Sequence, residues 1–373
     1  MILLYPPVKI AVIGATGIVG REVLSLLKKR NFPIETLRCF ASLGSEGKSI
    51  LFSGKNIPLE TLSEDKLHNI DLAIFCTKKE VSSKWIPYLA MQKTIIIDNS
   101  SAFRLDPDVP LIIPEINLEA LANHNYIIAS PNCSASIMLM ALFPLHQFIP
   151  IQRIQAATYQ AVSGAGFHAM QELVSATQAV LEKKPYIPKA LPFPSAFNLF
   201  LHNSILNADG YVDEELKMLQ ETRKILSDPQ IQVNATCVRV PVLRAHSQAL
   251  NVTFTQEICP KKAYELLEKA PGIKVYEERS KNRFPMPIDA AGQDDVYCGR
   301  IRKDLSCANT LDLWVVGDQI LKGAALNTVQ IAEHLLIVLK PKGKESVENA
   351  GCSTFSHLQK SQPYFREMMI DNE

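Results

Sequence analysis

The sequence predicts a two-domain α/β protein whose first domain contains a parallel sheet. Its 373 residues exceed the size that one compact core usually serves, so two domains are expected. In the first third of the chain, short apolar runs alternate with helical patterns, which is typical of parallel strands buried on both faces. Beyond residue 133, longer and partly alternating runs indicate an α+β domain on a mixed or antiparallel sheet.

The individual elements follow from these patterns. In the first domain we expect a strand over residues 8–13, a helix within "GATGIVGREVLSLLKKR", and strands in "ETLRCFAS", "DLAIFCT" and "TIIIDNSS". In the second domain we expect strands in "IQAATYQAVSG", "VRVPVLRAHSQALNVTF" and "TLDLWVVGD". Amphipathic helices are expected in "VDEELKMLQETRKIL" and "KGAALNTVQIAEHLLIVLK". The segment after Lys340 is polar and aperiodic, which indicates a tail.

Composition and charge argue against several classes of function. The net charge of +1 gives no reason to expect nucleic acid or an anionic membrane as a partner. No apolar segment reaches the roughly 18 residues that a membrane span needs, and the N-terminus lacks the features of a secretory signal. The eight cysteines form no CxxC pair and the histidines complete no zinc pattern, so no metal site is expected. Scattered cysteines without a secretory signal predict a cytoplasmic protein.

The segment "GATGIVG" places Gly14, Gly17 and Gly20 between the first strand and its helix. Glycines at such a turn let backbone N–H groups approach a pyrophosphate, which the helix N-terminus also attracts. The pattern therefore predicts a Rossmann-type dinucleotide-binding domain. Because the standard spacing is GxGxxG, a tight strand-to-helix turn that binds no ligand stays an alternative.

The end of the second strand helps to choose the dinucleotide. NAD-binding folds usually carry an acid there, which holds the ribose 2′-hydroxyl. Here the segment is "ASLGSEG", with Ser42, Gly44 and Ser45, while Glu35 lies at the opposite end of the strand. Hydroxyls and backbone donors without an acid suit a 2′-phosphate, so NADP(H) is favoured, although Glu46 argues for NAD.

Cys133 follows Pro131 and Asn132 directly before an apolar run, which predicts a helix start with Asn132 as its capping residue. The positive end of a helix stabilises a thiolate by roughly 0.3–1 kcal/mol, which leaves most of the thiol protonated at neutral pH. A reactive Cys133 therefore needs a nearby base, and the alternative is a buried structural cysteine. An activated thiol predicts that iodoacetamide labels Cys133 before the other cysteines.

Two later segments offer partners for this thiol. In "TYQAVSGAG", Gln160 ends a strand and precedes a glycine-containing loop where backbone can approach a ligand. "RVPVLRAHSQA" contains Arg239 and His246, which would face opposite sides of a regular strand. Pro241 argues against a regular strand, so a break can bring both side chains to one site. Taken singly, His246 is interpreted as a satisfied strand histidine and Arg239 as a surface charge.

The helix in "DEELKMLQETRKIL" carries a further candidate pair. Glu214 and Lys217 are three positions apart and therefore lie on one helix face. Taken by themselves they are interpreted as a solvated ion pair that contributes little to stability.

Together, these motifs resemble those of the aspartate-β-semialdehyde dehydrogenase family. They occur in the family's order between about residues 8 and 340, as "GATGIVG", "NSSAFRLDPDVPLIIPEIN", "SPNCSAS", "TYQAVSGAG", "EELKMLQETRKI", "RVPVLRAHSQA" and "GDQILKGAALNTVQIAE". The resemblance implies a homodimer, or a tetramer of two dimers, that uses NADP(H). It implies the reversible reductive dephosphorylation of L-aspartyl-4-phosphate to L-aspartate-4-semialdehyde, which serves lysine, diaminopimelate, methionine and threonine biosynthesis.

The resemblance also implies a role for each candidate residue. Cys133 resembles the nucleophile that forms a thioester, His246 its acid–base partner, and Gln160 the residue that orients the substrate. The substrate-binding positions are Arg239 for the α-carboxylate, Glu214 for the ammonium, Arg104 and Lys217 for the phosphate, and Asn132. The cofactor-contacting positions are Gly14, Thr16, Gly17, Ile18, Val19, Ser42, Gly44, Ser45, Ser163, Gly164 and Gln319.

The motifs and the change of pattern predict the domain boundaries. Residues 1–132 are expected to form the dinucleotide-binding domain, which a C-terminal helix at 320–340 completes. Residues 133–319 are expected to form the catalytic and dimerisation domain, and residues 341–373 the polar tail.

Near the cofactor the chain departs from the family pattern. It has "CTKKE", with Lys78 and Lys79, where members often carry glycines, and Gly44 where many carry a basic residue. We hypothesise that Lys48, Lys78 or Lys79 supplies the positive charge for the 2′-phosphate. Unchanged NADPH affinity in each alanine variant would reject this hypothesis.

Two alternative functions stay open. N-acetyl-γ-glutamyl-phosphate reductases share the fold and the cysteine chemistry, but their substrate has no free ammonium, so Glu214 argues against them. A dinucleotide-binding protein that has lost catalysis is the second alternative, although all the expected catalytic positions are filled.

Overall fold

The computed structural model describes residues 7–338, which form two seven-stranded sheets. Large hydrophobic clusters pack against each sheet, as expected for a chain that is too long for one core. In the described part of the chain, no helix combines the length and the apolar character needed to cross a membrane. The predicted tail at 341–373 lies outside the described residues.

The first sheet is parallel except at one edge. Its strands in chain order are β1 (Val8–Ile13), β2 (Ile34–Phe40), β3 (Ser49–Phe52), β4 (Lys55–Glu60), β5 (Leu72–Phe75), β6 (Ile95–Asp98) and β7 (Ile127–Ala129). They lie in the order β3-β4-β2-β1-β5-β6-β7, and the edge strand β3 pairs antiparallel with β4. The predicted strands correspond to β1, β2, β5 and β6, so the predicted parallel sheet is confirmed.

The hairpin of β3 and β4 is missing from the sequence-based prediction. Its strands are short and largely exposed, so they have no strong apolar period. Ser53 and Gly54 connect them with φ angles of 47° and 82°, the positive values that a tight two-residue hairpin turn requires. The feature of the sequence that indicates this hairpin is therefore the Ser53–Gly54 turn and not the pattern of its strands.

Helices flank both sheets. In chain order they are α1 (Ile18–Lys29), α2 (Lys79–Met91), α3 (Pro114–Asn117), α4 (Cys133–Phe148), α5 (Phe167–Leu181), α6 (Asp213–Ile225), α7 (Pro260–Lys269), α8 (Pro287–Ala290) and α9 (Leu326–Val338). The apolar face of α1, including Val23 and Leu27, packs in one core with β1. Val329 and Leu335 of α9 belong to the same core, so the chain returns to the first sheet after building the second.

The second sheet is mixed, which confirms the expected α+β character. Its strands are β8 (Ile151–Gln160), β9 (Phe200–Leu201), β10 (Gln232–Arg239), β11 (His246–Phe254), β12 (Ile273–Val275), β13 (Val296–Lys303) and β14 (Thr310–Gly317). They lie in the order β12-β13-β14-β11-β8-β10-β9, with β8–β10 and β12–β13 parallel and the other neighbours antiparallel. The apolar helix α4 packs against this sheet and is buried on most of its surface.

The strand break predicted from Pro241 is present. β10 ends at Arg239 and β11 begins at His246, so the segment "VRVPVLRAHSQALNVTF" contributes to two strands and not one. Both residues consequently lie at strand ends, where side chains can face a cavity.

The predicted C-terminal helix differs from the prediction in its first turn. Leu321–Ala325 form a π-helical turn before α9 begins. The preceding Asp318 organises this turn, because its Oδ1 accepts the N–H groups of Ile320 and Leu321 at 2.9 and 3.3 Å. Helical periodicity alone does not distinguish such a turn from a regular α-helix.

Candidate active site

A cavity of about 530 Å³ opens between the first sheet, the second sheet and helices α1, α4 and α6. All eight predicted catalytic and substrate residues line it, namely Cys133, His246, Gln160, Arg239, Glu214, Arg104, Lys217 and Asn132. Five of the predicted cofactor residues also line it, namely Ile18, Val19, Ser163, Gly164 and Gln319. The structure therefore brings residues from distant parts of the sequence to one place.

Cys133 is the first residue of α4, and Asn132 caps the helix as predicted. The Asn132 side-chain oxygen accepts the N–H groups of Ser134 and Ala135 at 2.9 and 3.1 Å. Burial, and next the nearby Glu214 carboxylate, raise the pKa of the Cys133 thiol to about 11, although Arg104 and Arg239 oppose the shift. In the ligand-free protein the thiol is therefore protonated at neutral pH.

The expectation that Cys133 is alkylated before the other cysteines stays a prediction, and the raised pKa argues against it for the ligand-free protein. Iodoacetamide reacts with the thiolate, which is scarce at a site with a pKa of about 11. Cys259 and Cys307 are exposed, so they are more accessible to the reagent. The N-terminus of α4 favours the Cys133 thiolate, but burial has the larger effect on the pKa of this thiol.

The π-helical turn lies directly against the nucleophile position. A Cβ atom added at Gly323 would come within 2.7 Å of the Cys133 Cβ, closer than two carbon atoms can pack. Gly323 is not among the predicted site residues, although a glycine inside a strong helical pattern was an available signal. Glycine at this position lets the turn approach the first residue of α4.

His246 is held in one tautomer by the backbone. Its Nδ1 accepts the N–H of Ala161 at 3.1 Å, so a neutral ring carries its proton on Nε2. Nε2 is buried and has no hydrogen-bond partner among the described residues. Burial, and next the Arg239 guanidinium, lower the pKa of His246 to about 3. His246 therefore presents a hydrogen-bond donor from a neutral ring.

Arg239 meets His246 at the same short loop, as the predicted break requires. Its Nη1 donates to the Ala161 carbonyl at 2.8 Å, while Ala161 N–H serves His246. A Cβ added at Gly164 would lie 3.0 Å from Arg239 Nη1 and 3.4 Å from His246 Nε2. Arg239 Nε is buried without a partner among the described residues, so this guanidinium has unused hydrogen-bonding capacity.

Glu214 connects the other predicted residues. Its Oε1 accepts from Asn132 Nδ2 at 2.8 Å and from Gln160 Nε2 at 3.4 Å, and its Oε2 lies 3.6 Å from Lys217 Nζ. Burial is the largest single influence on the pKa of Glu214 and would raise it. The nearby cations, His202 first and then Lys217 and Arg104, together with the hydrogen bond from Asn132 outweigh burial and lower the pKa to about 2. Glu214 and Lys217 therefore do not form the solvated ion pair that the helix pattern taken by itself indicated. They are a buried anion and a half-buried cation.

Arg104 is buried and firmly held. Its Nε donates to the Ser130 carbonyl at 2.9 Å, its Nη2 to the Asn99 carbonyl at 2.7 Å, and its Nη1 to Glu221 at 3.1 Å. It is one of five lysine and arginine side chains that line the cavity, together with Lys217, Arg239, Lys78 and Lys79. Glu221 and the cavity-lining His202 were missed by the sequence analysis, because nothing in their local pattern separates them from ordinary helix and loop residues.

The predicted dinucleotide end is built from the glycine loop and α1. Gly14 has φ +84°, and a Cβ there would lie 2.4 Å from the Cys76 carbonyl oxygen, so the loop requires glycine at this point. α1 begins at Ile18 without a side-chain cap and without an acid in its first turn. Its free N–H groups therefore offer a site for an anionic group such as a pyrophosphate.

The end of β2 fits a 2′-phosphate better than a 2′-hydroxyl. Leu43–Ser45 form a short 3₁₀ turn after Ser42, and this turn contains Gly44 but no acid. Lys48 Nζ lies 3.1 Å from the Gly44 carbonyl oxygen. Glu35 lies at the opposite end of β2, 3.9 Å from Lys9 Nζ, where it cannot reach the ribose. Lys48 therefore contacts the turn that is predicted to hold the 2′-phosphate.

The remaining predicted cofactor positions lie in two places. Gln319 donates to the Ser163 hydroxyl and accepts the Ala245 N–H at 3.0 Å, which joins two loops at the cavity. Thr16 and Gly17 lie in the glycine loop, outside the cavity lining, where the Thr16 carbonyl accepts from Arg21 Nε at 3.0 Å. Ser42, Gly44 and Ser45 also lie outside the lining.

Comparisons with known proteins support one family. Residues 9–124 match the family model described as semialdehyde dehydrogenase, NAD binding domain, and residues 142–322 match semialdehyde dehydrogenase, dimerisation domain. Two similar relatives are named aspartate-semialdehyde dehydrogenase. The Synechocystis protein is 51% identical over 332 residues, and the Aquifex aeolicus protein is 46% identical over 333 residues. Each match covers 88% of this chain and 98% of the relative.

Solved structures agree with the sequence comparisons. The crystal structure of aspartate semialdehyde dehydrogenase II from Vibrio cholerae is 41% identical, with a TM-score of 0.86. A second structure of that protein, complexed with ASA, is 40% identical with the same TM-score, and each match covers 88% of this chain and 98% of the other.

The fold and the site define the class of protein, which is an oxidoreductase with a nicotinamide-nucleotide-binding domain and a cysteine at the N-terminus of a helix. The chain belongs to the aspartate-semialdehyde dehydrogenase family.

Proposed function

We propose that the protein catalyses the reversible, NADPH-dependent reductive dephosphorylation of L-aspartyl-4-phosphate to L-aspartate-4-semialdehyde. One observation carries the proposal: a buried, ionised Glu214 shares a cavity with Cys133 and with the cations Arg104, Lys217 and Arg239. A small acyl phosphate with a free ammonium, a carboxylate and a phosphate complements this charge pattern. The product would supply lysine, diaminopimelate, methionine and threonine biosynthesis.

Each charged group of the substrate has a complementary side chain. Arg239 binds the α-carboxylate, because its planar guanidinium is only partly used by the Ala161 carbonyl. Glu214 binds the ammonium, and Arg104 with Lys217 binds the phosphate. Gln160 lies beside Ser134 at 2.9 Å and orients the acyl group next to the thiol.

Cys133 forms the covalent intermediate. Its sulfur attacks the acyl carbon, the bond from that carbon to the phosphate oxygen breaks, and the thiol proton leaves with the phosphate as HPO₄²⁻. This route differs from the expected route, in which His246 accepts the thiol proton, because Nε2 of a neutral His246 already carries a proton. It fits a thiol with a high pKa beside a substrate that carries its own dianionic phosphate. The product of the step is a thioester on Cys133.

His246 stabilises negative charge on the substrate oxygen. Bound NADPH would supply a hydride to the thioester carbon, which would leave negative charge on the carbonyl oxygen. The Nε2–H of His246 donates a hydrogen bond to this oxygen, because the Ala161 N–H occupies Nδ1. The oxyanion then expels the Cys133 sulfur as a thiolate and yields the aldehyde, and the thiolate takes up a proton from solvent to restore the thiol.

NADP(H) is the cofactor that the residues fit. The uncapped start of α1 suits the pyrophosphate, and the turn at Leu43–Ser45 contains no acid to hold a 2′-hydroxyl, although Glu46 follows it directly. Lys48 supplies the charge for the 2′-phosphate, while Lys78 and Lys79 line the cavity farther along the first sheet.

We further propose a cytoplasmic homodimer, or a tetramer of two dimers. The part of the chain that matches a dimerisation domain includes an apolar segment, residues 187–206, in which Phe197, Leu199, Leu201 and Ile205 are at least 61% exposed. Exposed apolar clusters of this kind are characteristic of protein interfaces. The described cysteines are all free, which supports a reducing compartment.

The experiment that tests the function is NADP⁺ reduction with aspartate semialdehyde and phosphate. Parallel assays replace NADP⁺ by NAD⁺, or the substrate by N-acetylglutamate semialdehyde. We expect turnover with the first combination and its loss in Cys133→Ala. Turnover with the acetylated substrate alone would assign the protein to the N-acetyl-γ-glutamyl-phosphate reductases. NADPH binding without turnover of either aldehyde would support a protein that has lost catalysis.

A further inference from the structure

Glu221 is a buried acid that the proposed chemistry does not use. It lies seven positions after Glu214 on the same face of α6, and only 1% of its surface is exposed. Burial raises the pKa of Glu221 even though Arg104 lies next to it. An acid in such a place is costly to bury, so its contacts need an explanation.

The two carboxylate oxygens of Glu221 have different partners. Oε1 accepts from Arg104 Nη1 at 3.1 Å, and Oε2 accepts the backbone N–H of Asn132 at 2.5 Å. Asn132 is the residue that caps α4 immediately before Cys133. One carboxylate therefore joins the arginine of the phosphate site to the first turn of the nucleophile's helix.

The other contacts of Arg104 show what Glu221 adds. Nε and Nη2 of Arg104 donate to the carbonyls of Ser130 and Asn99, so Glu221 is its charged partner among the described residues. A guanidinium has five N–H groups, and these contacts use three of them, which leaves two. The guanidinium is fixed in plane and still has donors for a phosphate.

The backbone on the other side of Arg104 is also held from α6. Lys224 Nζ donates to the carbonyl of Arg104 at 2.8 Å and to that of Val109 at 2.7 Å. α6 thus holds the Arg104 loop by its backbone through Lys224 and by its side chain through Glu221. The same helix also carries Glu214 and Lys217.

We propose that Glu221 is a positioning residue that fixes Arg104 for phosphate binding and holds the phosphate site in register with Cys133. This inference rests on the proposed function, since it assigns phosphate to Arg104. A buried ion pair contributes little net stability compared with apolar side chains, but it specifies one geometry. Without the Glu221 carboxylate, Arg104 loses the contact that orients Nη1. The backbone N–H of Asn132, the residue that caps α4, loses its hydrogen-bond acceptor.

The test is steady-state kinetics of Glu221→Gln in the direction that consumes phosphate. The amide can accept from one partner but presents N–H groups to the other. We expect the KM for phosphate to rise about tenfold or more, while the KM values for aspartate semialdehyde and NADP⁺ stay within about twofold. An equal rise of the aldehyde and phosphate KM values, or no change in either, would overturn the proposal.

Glu215→Gln is the matched control. Glu215 is on the same helix and also accepts two backbone N–H groups, from Val212 and Cys237, both at 3.1 Å. It has no contact with Arg104 among the described residues, so its phosphate KM should not change. If the control raises the phosphate KM as much as Glu221→Gln does, the effect comes from α6 in general and the proposal fails.

Two further measurements keep the test decisive. If Glu221→Gln does not fold, Glu221→Asp keeps the charge but is too short for both partners, and the same selective rise in phosphate KM is expected. Isothermal calorimetry with inorganic phosphate measures the site without turnover, and a loss of affinity of about tenfold in the variant is expected. A wild-type protein that binds phosphate but lacks turnover would reject the proposed function and not this inference, whereas equal affinity in both proteins would reject the inference.

Discussion

At the scale of single residues, the hydrogen bond from Ala161 to His246 decides how the imidazole can act. Sequence alone identifies a histidine near an arginine, but the tautomer follows from the 3.1 Å contact at Nδ1. A ring with its proton on Nε2 donates to the cavity and cannot accept the thiol proton at that atom.

Replacing His246 should therefore distinguish a donor from a base. His246→Gln retains an N–H donor, whereas His246→Ala removes it. We expect kcat to fall about 10²–10³-fold in His246→Ala, as for a lost oxyanion donor, and at least about tenfold less in His246→Gln. Equal losses in the two variants, measured as kcat across pH, would instead indicate a proton-accepting role.

His246 also predicts a pH dependence of stability. Burial and then Arg239 lower its folded-state pKa to about 3, below the value near 6.5 of an unfolded chain. The unfolded state takes up this proton first, so stability is lost as the pH falls from about 6.5 towards 3. The free energy of unfolding is measured by urea titration between about pH 6 and pH 4 for the wild type and for His246→Gln. As the pH falls, it should decrease less steeply in the variant than in the wild type, by up to ~1.4 kcal/mol per pH unit. Parallel curves for the two proteins would contradict the assigned shift.

At the scale of secondary-structure elements, the π-helical turn places backbone against the nucleophile. Gly323→Ala adds a methyl group 2.7 Å from the Cys133 Cβ, so α4 or the turn must move. We expect kcat to fall at least about 10²-fold and the free energy of unfolding to fall by about 1–3 kcal/mol. Assays of turnover and of chemical denaturation measure the two effects. Wild-type kcat in a folded Gly323→Ala protein would show that the turn is not restrained.

The short turn after β2 should set the cofactor preference. Lys48→Ala removes the cation 3.1 Å from the Gly44 carbonyl, and we expect the KM for NADPH to rise about tenfold with little change for NADH. Lys78→Ala and Lys79→Ala are matched cation deletions in the cavity lining. If either of them, and not Lys48→Ala, weakens NADPH selectively, the 2′-phosphate binds nearer to the start of α2.

At the scale of the whole molecule, the apolar segment 187–206 lies next to the substrate site. Leu201 is 63% exposed on β9, and its neighbour Phe200 pairs with Arg239 at the end of β10. Assembly through this segment would hold the strand that supports the carboxylate-binding arginine.

Leu201→Asp should therefore weaken both assembly and catalysis. We expect a shift from dimer to monomer in light scattering. The KM for aspartate semialdehyde should rise, because the partner subunit no longer packs against β9. A matched change at Leu305→Asp, a fully exposed residue far along the chain, should leave the mass unchanged. A Leu201→Asp protein that keeps the wild-type mass would move the interface elsewhere.

Much of the fold and site could be predicted because the signals are local. Apolar runs gave β1, β2, β5 and β6, and Pro241 gave the strand break that brings Arg239 and His246 together. The hairpin of β3 and β4, the turn at Gly323 and the contacts of Glu221 could not be predicted in this way. The hairpin strands are too short and exposed to show an apolar period. The turn at Gly323 and the contacts of Glu221 depend on partners far away in sequence, which a local pattern does not contain.

By itself, the sequence determined the order of elements, the capped start of α4 before Cys133 and the residue types needed for an acyl phosphate. Apolar periodicity, turn residues and helix caps act over a few positions, so they can be read along the chain. The tertiary structure decided the charge and proton states in the site. Burial raised the pKa of Cys133 to about 11, and the Ala161 N–H fixed the ring of His246 as a donor. These states depend on desolvation and on contacts between distant segments, which exist only once the two sheets are packed around the cavity.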